Sequence, residues 1–257
     1  MLDSSQLDYI EEALGVSVSR LHRVVRTLGD AELETSAYPS DWSVADVLSH
    51  LGSSAEISLR RLDDSFAGRA TPDDYPSSVW DRWNAKPSAV QARDFLIQDQ
   101  AFTDRLASLT PDERSASIDL GPLTLDIGGY VGLRLNEHVL HTWDVEVAFD
   151  RAARLSSETV APVVDNLDLI GRFTAKPTGD HRIITVLTSA PARGFIVELT
   201  REAATFAVTD APAVADVTLA AEAFIRLVYG RLDPDHSDEV DGDPVALNQL
   251  RRAFPGP

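Results

Sequence analysis

The chain has 257 residues, enough for one large domain or two modest ones, and its hydrophobic fraction of 44% is that of an ordinary globular protein. Acidic residues number 41 against 23 basic ones, which gives a formal net charge of −18. A surface this acidic repels phosphate backbones and anionic lipids, so we expect no nucleic-acid or membrane partner. Because the chain has no cysteine, disulfides, thiolate metal ligands and a nucleophilic thiol of the protein itself are excluded.

No run of the sequence approaches the roughly 18 apolar residues that a membrane-spanning helix needs. The N-terminus, Met1-Leu2-Asp3-Ser4, also lacks the basic and apolar regions of a signal peptide. We therefore expect a cytoplasmic protein whose partners are small molecules. The oligomeric state is left open by the sequence.

Hydrophobic periodicity predicts four long helices in the first part of the chain. Apolar residues spaced three and four positions apart predict helices over residues 4–28, 44–66, 88–109 and 125–149. Ser43 and Asp46 resemble a capping box at the start of the second helix. Residues 68–86, with two prolines and two tryptophans, predict a long excursion over the mouth of the bundle. Four such helices are typical of a four-helix bundle.

The pattern changes after Arg154. One more helix fits residues 156–173, short β-rich runs cover 183–187, 194–199, 204–208 and 217–219, and helices fit 222–229 and 244–253. We therefore predict an α plus α+β protein: a four-helix bundle over residues 1–154, followed by a smaller α+β domain over residues 155–257.

The fourth predicted helix carries Glu137 and His141, whose spacing places both side chains on one face, one turn apart. Joined by a third ligand from another helix, they would form an open site for a divalent transition metal. His50, in the second helix, is the candidate third ligand, although its position alone also suits an ordinary surface histidine. The alternative for Glu137 and His141 is a solvated pair. His138 points about 60° away from His141 and is expected to face solvent or a neighbouring helix.

Other residues near the two histidine-bearing segments have simpler interpretations. Trp42 and Trp143 are expected to pack in the core at the ends of the bundle. Asp144 either orients His141 or is an ordinary polar residue of the helix with no role at the site. Structural or surface roles are expected for the three histidines that have no partner at ligand spacing: His22, His181 and His236.

A site with three protein ligands leaves at least one coordination position open, which is typical of a catalytic metal. Imidazole and carboxylate ligands suit Zn²⁺, and Ni²⁺, Fe²⁺ or Mn²⁺ would fit the same set. A thiol bound at the open position would lose its proton at neutral pH. In a chain without cysteine, that thiol must arrive on a small molecule. The sequence has no P-loop, no GxGxxG after a strand and no GxSxG motif.

Two segments of the sequence resemble the signature segments of a known family. They are DWSVADVLSHLG, residues 41–52, and NEHVLHTWD, residues 136–144. Both are similar to segments of the mycothiol-dependent maleylpyruvate isomerase family, which belongs to the DinB-like superfamily of metal-binding four-helix bundles. In actinobacterial members a smaller α+β domain follows the bundle. The resemblance implies that His50, Glu137 and His141 bind a divalent metal, with Zn²⁺ as the first choice. It also implies that mycothiol is the thiol cosubstrate.

Arg231, in Tyr229-Gly230-Arg231-Leu232, matches a Gly-Arg element of the same family's C-terminal domain. The resemblance implies that its guanidinium holds a carboxylate of the substrate in a bidentate manner. A solvated arginine in a loop that ends a helix is the alternative.

The function implied by the resemblance is a metal- and mycothiol-dependent enzyme. A metal-bound thiolate would attack a small electrophilic substrate, in an isomerase or an S-transferase reaction. A second hypothesis is a non-catalytic, metal-bearing module that binds a small ligand or serves in a stress response. A third is a metal-dependent hydrolase, in which zinc-bound water is the nucleophile. The sequence does not identify the substrate.

Overall fold

The chain divides into two compact units, Met1–Ala153 and Arg154–Pro257. A computed structural model describes residues 4–38, 41–120, 123–237 and 240–256. No helix within these ranges combines the length and the apolar character that crossing a membrane would require.

The first unit is helical. Its described helices are α1 (Ser4–Val25), α2 (Asp30–Leu33), α3 (Val44–Phe66), α4 (Tyr75–Asn84), α5 (Ser88–Ala107), α6 (Pro111–Arg114) and α7 (Ile127–Glu146). The four long helices contact each other in a ring, since α3 packs on α5 and α7, and α1 packs on the same two helices. This arrangement is the four-helix bundle that the hydrophobic periodicity predicted.

Side-chain caps fix where the two site-bearing helices begin. Ser43 Oγ accepts a hydrogen bond from the Asp46 amide at 3.1 Å, and the Asp46 carboxylate accepts one from the Ser43 amide at 2.9 Å. The predicted capping box is therefore confirmed, and it sets the start of α3 so that His50 lies in its second turn. Asp126 caps α7 in a similar way, because its carboxylate accepts a hydrogen bond from the Gly129 amide at 2.9 Å.

The predicted excursion over residues 68–86 is wrong for its second half, which forms α4. Val79 and Trp83, four residues apart, are both buried and give α4 an apolar face. The Trp83 ring lies directly over Gly52 of α3, where a Cβ would overlap it. Its indole nitrogen donates a hydrogen bond to Glu56 at 2.8 Å. Because Gly52 has no side chain, α3 leaves room for the Trp83 ring, and α4 packs against α3 there.

A short hairpin precedes α7 and was not predicted. Strand β1 (Ser117–Asp119) pairs in antiparallel fashion with β2 (Thr124–Asp126). Ile118 is its buried residue. Gly121-Pro122, a sequence typical of a turn, lies outside the described residues.

The second unit combines helices with a mixed sheet. The single helix predicted over residues 156–173 is instead two helices that meet at Asn166, α8 (Ser157–Asp165) and α9 (Leu167–Thr174). The remaining described elements are β3 (Arg182–Ser189), β4 (Arg193–Leu199), β5 (Ala204–Thr209), β6 (Val217–Ala220), α10 (Ala221–Val228), a 3₁₀ turn (Pro234–His236), β7 (Asp241–Gly242) and α11 (Pro244–Ala253). The predicted strands and the last two helices are thus confirmed, and β7 is an addition.

The sheet has the strand order β5-β4-β3-β6-β7. Its pairs are antiparallel except β3 with β6, which run parallel through the crossover of β4 and β5. One face carries a cluster of aromatic rings in which Phe224 of α10 lies 4.7 Å from Phe195 and 6.1 Å from Phe206, between ring centroids. The amphipathic α10 thus covers this face of the sheet, as expected of an α+β unit.

Candidate metal centre

Three potential ligand atoms converge between α3 and α7 in the first unit. The imidazole of His50 on α3, the carboxylate of Glu137 and the imidazole of His141 on α7 each offer one atom, and these atoms all lie within 4.8 Å of one another. Glu137 Oε2 lies 3.3 Å from His50 Nε2 and 3.5 Å from His141 Nε2. Within the described ranges, this is the group of His and acidic residues with the spacing of metal ligands.

The convergence follows from how the two helices run past each other. Near the other end of the pair, the Tyr130 hydroxyl donates a hydrogen bond to the Ser58 carbonyl at 3.1 Å. Residues late in α3 thus meet residues early in α7, so the helices are antiparallel. The second turn of α3 consequently faces the last part of α7, where Glu137 and His141 lie one turn apart.

The distances fit a divalent ion held by two imidazoles and a carboxylate. Nitrogen and oxygen donors lie about 2.0–2.2 Å from Zn²⁺, so two donors of one tetrahedral ion lie about 3.3–3.6 Å apart. The two separations from Glu137 Oε2, 3.3 and 3.5 Å, fall in this range. No thiolate is available, because the chain has no cysteine. Three such ligands suit Zn²⁺ or another first-row divalent ion and leave room for a further ligand.

Asp144 holds the His141 ring in place. Its Oδ2 lies 2.8 Å from His141 Nδ1, and the Asp144 side chain is buried. A hydrogen bond from Nδ1–H to this carboxylate leaves Nε2 as the nitrogen with a lone pair for a metal. Of the two interpretations that the sequence allowed for Asp144, the structure supports the orienting one.

The charges of the centre favour the ligand forms of Glu137 and His50. Burial raises the pKa of Glu137, but hydrogen bonds and positive charge from His141 and His50 outweigh it and hold that pKa well below its usual range. Burial lowers the pKa of His50, and the hydrogen bond to Glu137 offsets this only in part. Burial also lowers the pKa of His141, but Asp144 and Glu137 outweigh it and raise that pKa. The site thus attracts positive charge.

Trp42 lies beside the centre, which corrects the expectation that it packs in the core. Its ring stacks on His141 at 6.0 Å with an interplanar angle of 19°, lies 5.4 Å from His50, and is 36% exposed. The side chains of His50 and Glu137 are themselves 33% and 40% exposed. The centre is therefore accessible on one side and has an aromatic wall. Trp143, by contrast, is buried as predicted, and its indole nitrogen donates to the Ala153 carbonyl at 2.9 Å.

His138 belongs to a separate, fully buried cluster. Its Nε2 lies 3.1 Å from Asp99 Oδ2, which also lies 3.0 Å from His22 Nε2. Arg134 donates to the other carboxylate oxygen of Asp99 at 2.7 Å. His138 therefore faces neighbouring helices, one of the two predicted placements, and does not face solvent. Sequence reasoning missed Asp99, since only the fold brings α5 against His138.

The other singled-out polar residues lie in the second unit. Arg231 is buried there, and its guanidinium donates a hydrogen bond to the Tyr229 carbonyl at 2.8 Å. His236 lies 3.0 Å from the Asp233 carboxylate, and His181 is exposed. None of the three belongs to the His50, Glu137 and His141 group.

Together, the fold and the site define a class: a four-helix bundle with an accessible His/Glu/His centre, joined to an α+β unit. The family model for the mycothiol maleylpyruvate isomerase N-terminal domain matches residues 14–146, slightly more than half of the chain. The chain belongs to this family.

Solved structures support the same fold. A crystal structure of the mycothiol-dependent maleylpyruvate isomerase is similar with a TM-score of 0.64 and 14% sequence identity, over 88% of this chain and 89% of that one. A crystal structure of a histidine-to-alanine mutant of that enzyme has the same TM-score and coverage, with 13% identity. No curated protein matches the chain significantly.

Proposed function

We propose that this protein is a mycothiol-dependent isomerase that acts on a small electrophilic substrate at a metal ion held by His50, Glu137 and His141. The observation that carries the proposal is the convergence of three metal-type donor atoms within 4.8 Å, in a chain of the mycothiol maleylpyruvate isomerase family. We propose Zn²⁺ as the ion, with Ni²⁺, Fe²⁺ and Mn²⁺ as alternatives for the same ligands. S-transfer from the same thiol is the related reaction.

When bound, the ion would supply positive charge that favours the thiolate over the thiol of a coordinated cosubstrate. The chain's own groups then have distinct tasks. Asp144 keeps the His141 ring oriented, and Glu137 offsets the positive charge of the centre. Trp42 forms an apolar wall on the accessible side and limits the approach of water. The absence of cysteine means that the nucleophilic sulfur must come from the cosubstrate.

The proposed reaction balances without an oxidant or reductant. The sulfur adds to an electron-poor carbon–carbon double bond, and the electron pair of that bond moves to the adjoining carbonyl group. The former double bond then rotates as a single bond. Elimination of the sulfur restores the double bond in the other configuration and returns the thiolate. In S-transfer, the carbon–sulfur bond would remain.

The proposal extends to Arg231, which we expect to bind a carboxylate of the substrate. Replacement by lysine keeps the charge but removes the planar fork that grips a carboxylate with two hydrogen bonds. Arg231→Lys is therefore expected to raise KM more than it lowers kcat. A fall in kcat with an unchanged KM would show that Arg231 does not bind the substrate.

Elemental analysis followed by a thiol-dependence assay tests the proposal. The purified protein is expected to contain close to one divalent ion per chain, and His50→Ala or Glu137→Gln is expected to lose most of it. His181→Ala, an exposed histidine outside the cluster, is the matched control and is expected to retain the metal. Isomerisation of a test substrate such as maleylpyruvate is expected to require both metal and mycothiol.

The result also separates the other hypotheses. Full turnover without any thiol would overturn the proposal in favour of metal-dependent hydrolysis, in which water is the nucleophile. Metal binding without turnover under either condition would favour a non-catalytic binding module. Metal retention by both ligand variants would overturn the site itself.

A further inference from the structure

Apart from the metal centre, the first unit has a cavity at the C-terminal end of α3. Its volume is about 450 Å³, within the range of small-ligand sites. Several of the side chains that line it are polar or charged: Arg61, Ser65, Arg69, Thr71, Asp73 and Asp119. None of them belongs to the His50, Glu137 and His141 centre.

A buried carboxylate, Asp64, anchors two of the residues that line this cavity, Arg69 and Thr71. The Asp64 side chain is 1% exposed and accepts hydrogen bonds from Arg69 Nε at 3.2 Å and Arg69 Nη2 at 3.0 Å. It also accepts one from the Thr71 hydroxyl at 3.0 Å. The segment after α3 is thereby held to the helix by its own side chains, so the cavity is formed before any ligand arrives.

Two charged groups of the cavity have no partner of their own. Among the residues that the structure describes, Arg61 and Asp73 make no side-chain hydrogen bond or ion pair, whereas Asp64 engages Arg69. Arg61 is half-buried and Asp73 is exposed. Arginine offers only donors and a carboxylate only acceptors, while a hydroxyl group can satisfy both. The arginines that line the cavity do not outnumber its aspartates, and Arg69 is already paired with Asp64, which favours a neutral polyhydroxylated ligand over an anion.

The cavity and the metal centre lie along the same side of α3. Arg61 follows His50 by 11 residues, about three turns, so the two side chains share a face and are separated by about 16 Å along the helix. Ser54 and Ser58 lie between them, both half-buried. Their hydroxyls make no hydrogen bond within the described part of the chain. Leu133, also half-buried, is on the adjacent α7.

We propose that this cavity binds the sugar end of the thiol cosubstrate while its sulfur lies at the metal centre. Mycothiol joins an acetylated cysteine to glucosamine and inositol, so its thiol and its hydroxyl-rich end are at opposite ends of an extended molecule. The donors of Arg61 and the acceptors of Asp73 match those hydroxyls. Ser54 and Ser58 of α3 lie between the cavity and the metal centre. The inference rests on the proposed function, because it places the sulfur at the metal.

Calorimetric titration of the metal-loaded protein with two thiols tests the inference. Mycothiol contains the sugar end, and N-acetylcysteine has the same sulfur without it. Wild-type protein is expected to bind mycothiol at least tenfold more tightly, as expected when hydrogen bonds to charged groups are added. Arg61→Ala and, independently, Asp73→Ala are expected to remove most of this difference. Affinity for N-acetylcysteine and metal content are expected to stay unchanged.

Arg93→Ala is the matched control. Arg93 is an exposed arginine of the same unit whose ion pair is with its neighbour Asp94, and its removal is expected to leave both affinities unchanged. Asp73 is exposed, so its replacement is expected to leave the fold intact, which circular dichroism checks. Circular dichroism checks the same for Arg61→Ala.

The outcomes separate this inference from the function on which it rests. If wild-type turnover requires mycothiol but both cavity variants keep the full preference for it, the cavity assignment is overturned and the function stands. The same holds if the wild type binds the two thiols equally. If neither thiol binds and turnover needs no thiol, the proposed function fails and the cavity assignment fails with it.

Discussion

His141 Nδ1 lies 2.8 Å from Asp144 Oδ2, one turn further along α7. The carboxylate is buried, so it acts on the imidazole without competition from bulk water. Holding the proton on Nδ1 directs the lone pair of Nε2 toward Glu137 and His50. Asp144 lies outside the group of His50, Glu137 and His141, yet it determines which nitrogen of His141 carries the lone pair.

Removal of this carboxylate is expected to weaken metal binding. Asp144→Ala is expected to lower the affinity for Zn²⁺ by about 10- to 100-fold, as is usual when the partner of a ligating histidine is lost. Asp144→Asn keeps a hydrogen-bond acceptor and is expected to lose less. Competition with a chelator of known affinity measures both. Asp104→Ala, an exposed residue of α5, is the control, and an unchanged affinity of Asp144→Ala would contradict the role.

Gly52 is expected to tolerate no side chain. A Cβ at this position of α3 would overlap the ring of Trp83, which is nearly fully buried. Displacement of a packed ring costs typically about 1–3 kcal/mol, so Gly52→Ala is expected to lower the free energy of unfolding by about this amount. Urea denaturation followed by circular dichroism measures the change.

Gly15 supplies the opposite prediction with the same substitution. Nothing lies within 4 Å of a Cβ built on this residue in α1. Alanine in a helix interior is more favourable than glycine by about 0.5–1 kcal/mol. Gly15→Ala is therefore expected to raise the free energy of unfolding, measured in the same way. If both glycine variants raised the free energy of unfolding, helix propensity alone would explain the two results, and the predicted clash with Trp83 would be wrong.

The sequence predicted elements where local signals were strong. The capping box of Ser43 and Asp46 located the start of α3, and helical spacing located α1, α5 and α7. The same spacing was present in α4, at Val79 and Trp83, but Pro72 and Pro76 suggested an irregular segment. Proline at the start of a helix is compatible with it, and the helix was missed for that reason.

Long-range partners could not be predicted from one sequence. His138 and His141 differ by less than a turn, and nothing local to them indicates that α5 supplies Asp99 to the first of them. Trp42 was expected in the core because it is large and apolar. Its actual position beside His50 and His141 depends on how the segment before α3 passes the end of α7, which no periodicity encodes.

The buried Asp99 is expected to be essential for the stability of the bundle. Arg134 is buried and donates to Asp99 through Nη2, while its Nε and Nη1 have no hydrogen-bond partner. Loss of the carboxylate would leave a buried positive charge uncompensated, which costs about 3–5 kcal/mol. Asp99→Asn is expected to lower the free energy of unfolding by this amount in urea titrations. Asp104→Asn on the same helix is the control, and equal effects of the two would contradict the role.

The contribution of Asp99 is also expected to depend on pH. Burial raises its pKa, but the charges and hydrogen bonds of His138, His22 and Arg134 outweigh it and hold the pKa well below the ordinary value of 3.8. The folded chain therefore binds fewer protons at this site than the unfolded chain does. The resulting stability is fully present above pH 3.8 and is lost as the pH falls through the lower folded value. The difference in unfolding free energy between wild type and Asp99→Asn is expected to shrink below about pH 4. Urea titrations at a series of pH values measure this difference. A difference that stayed constant down to the lowest pH at which the protein is folded would show that the pKa of Asp99 is not lowered.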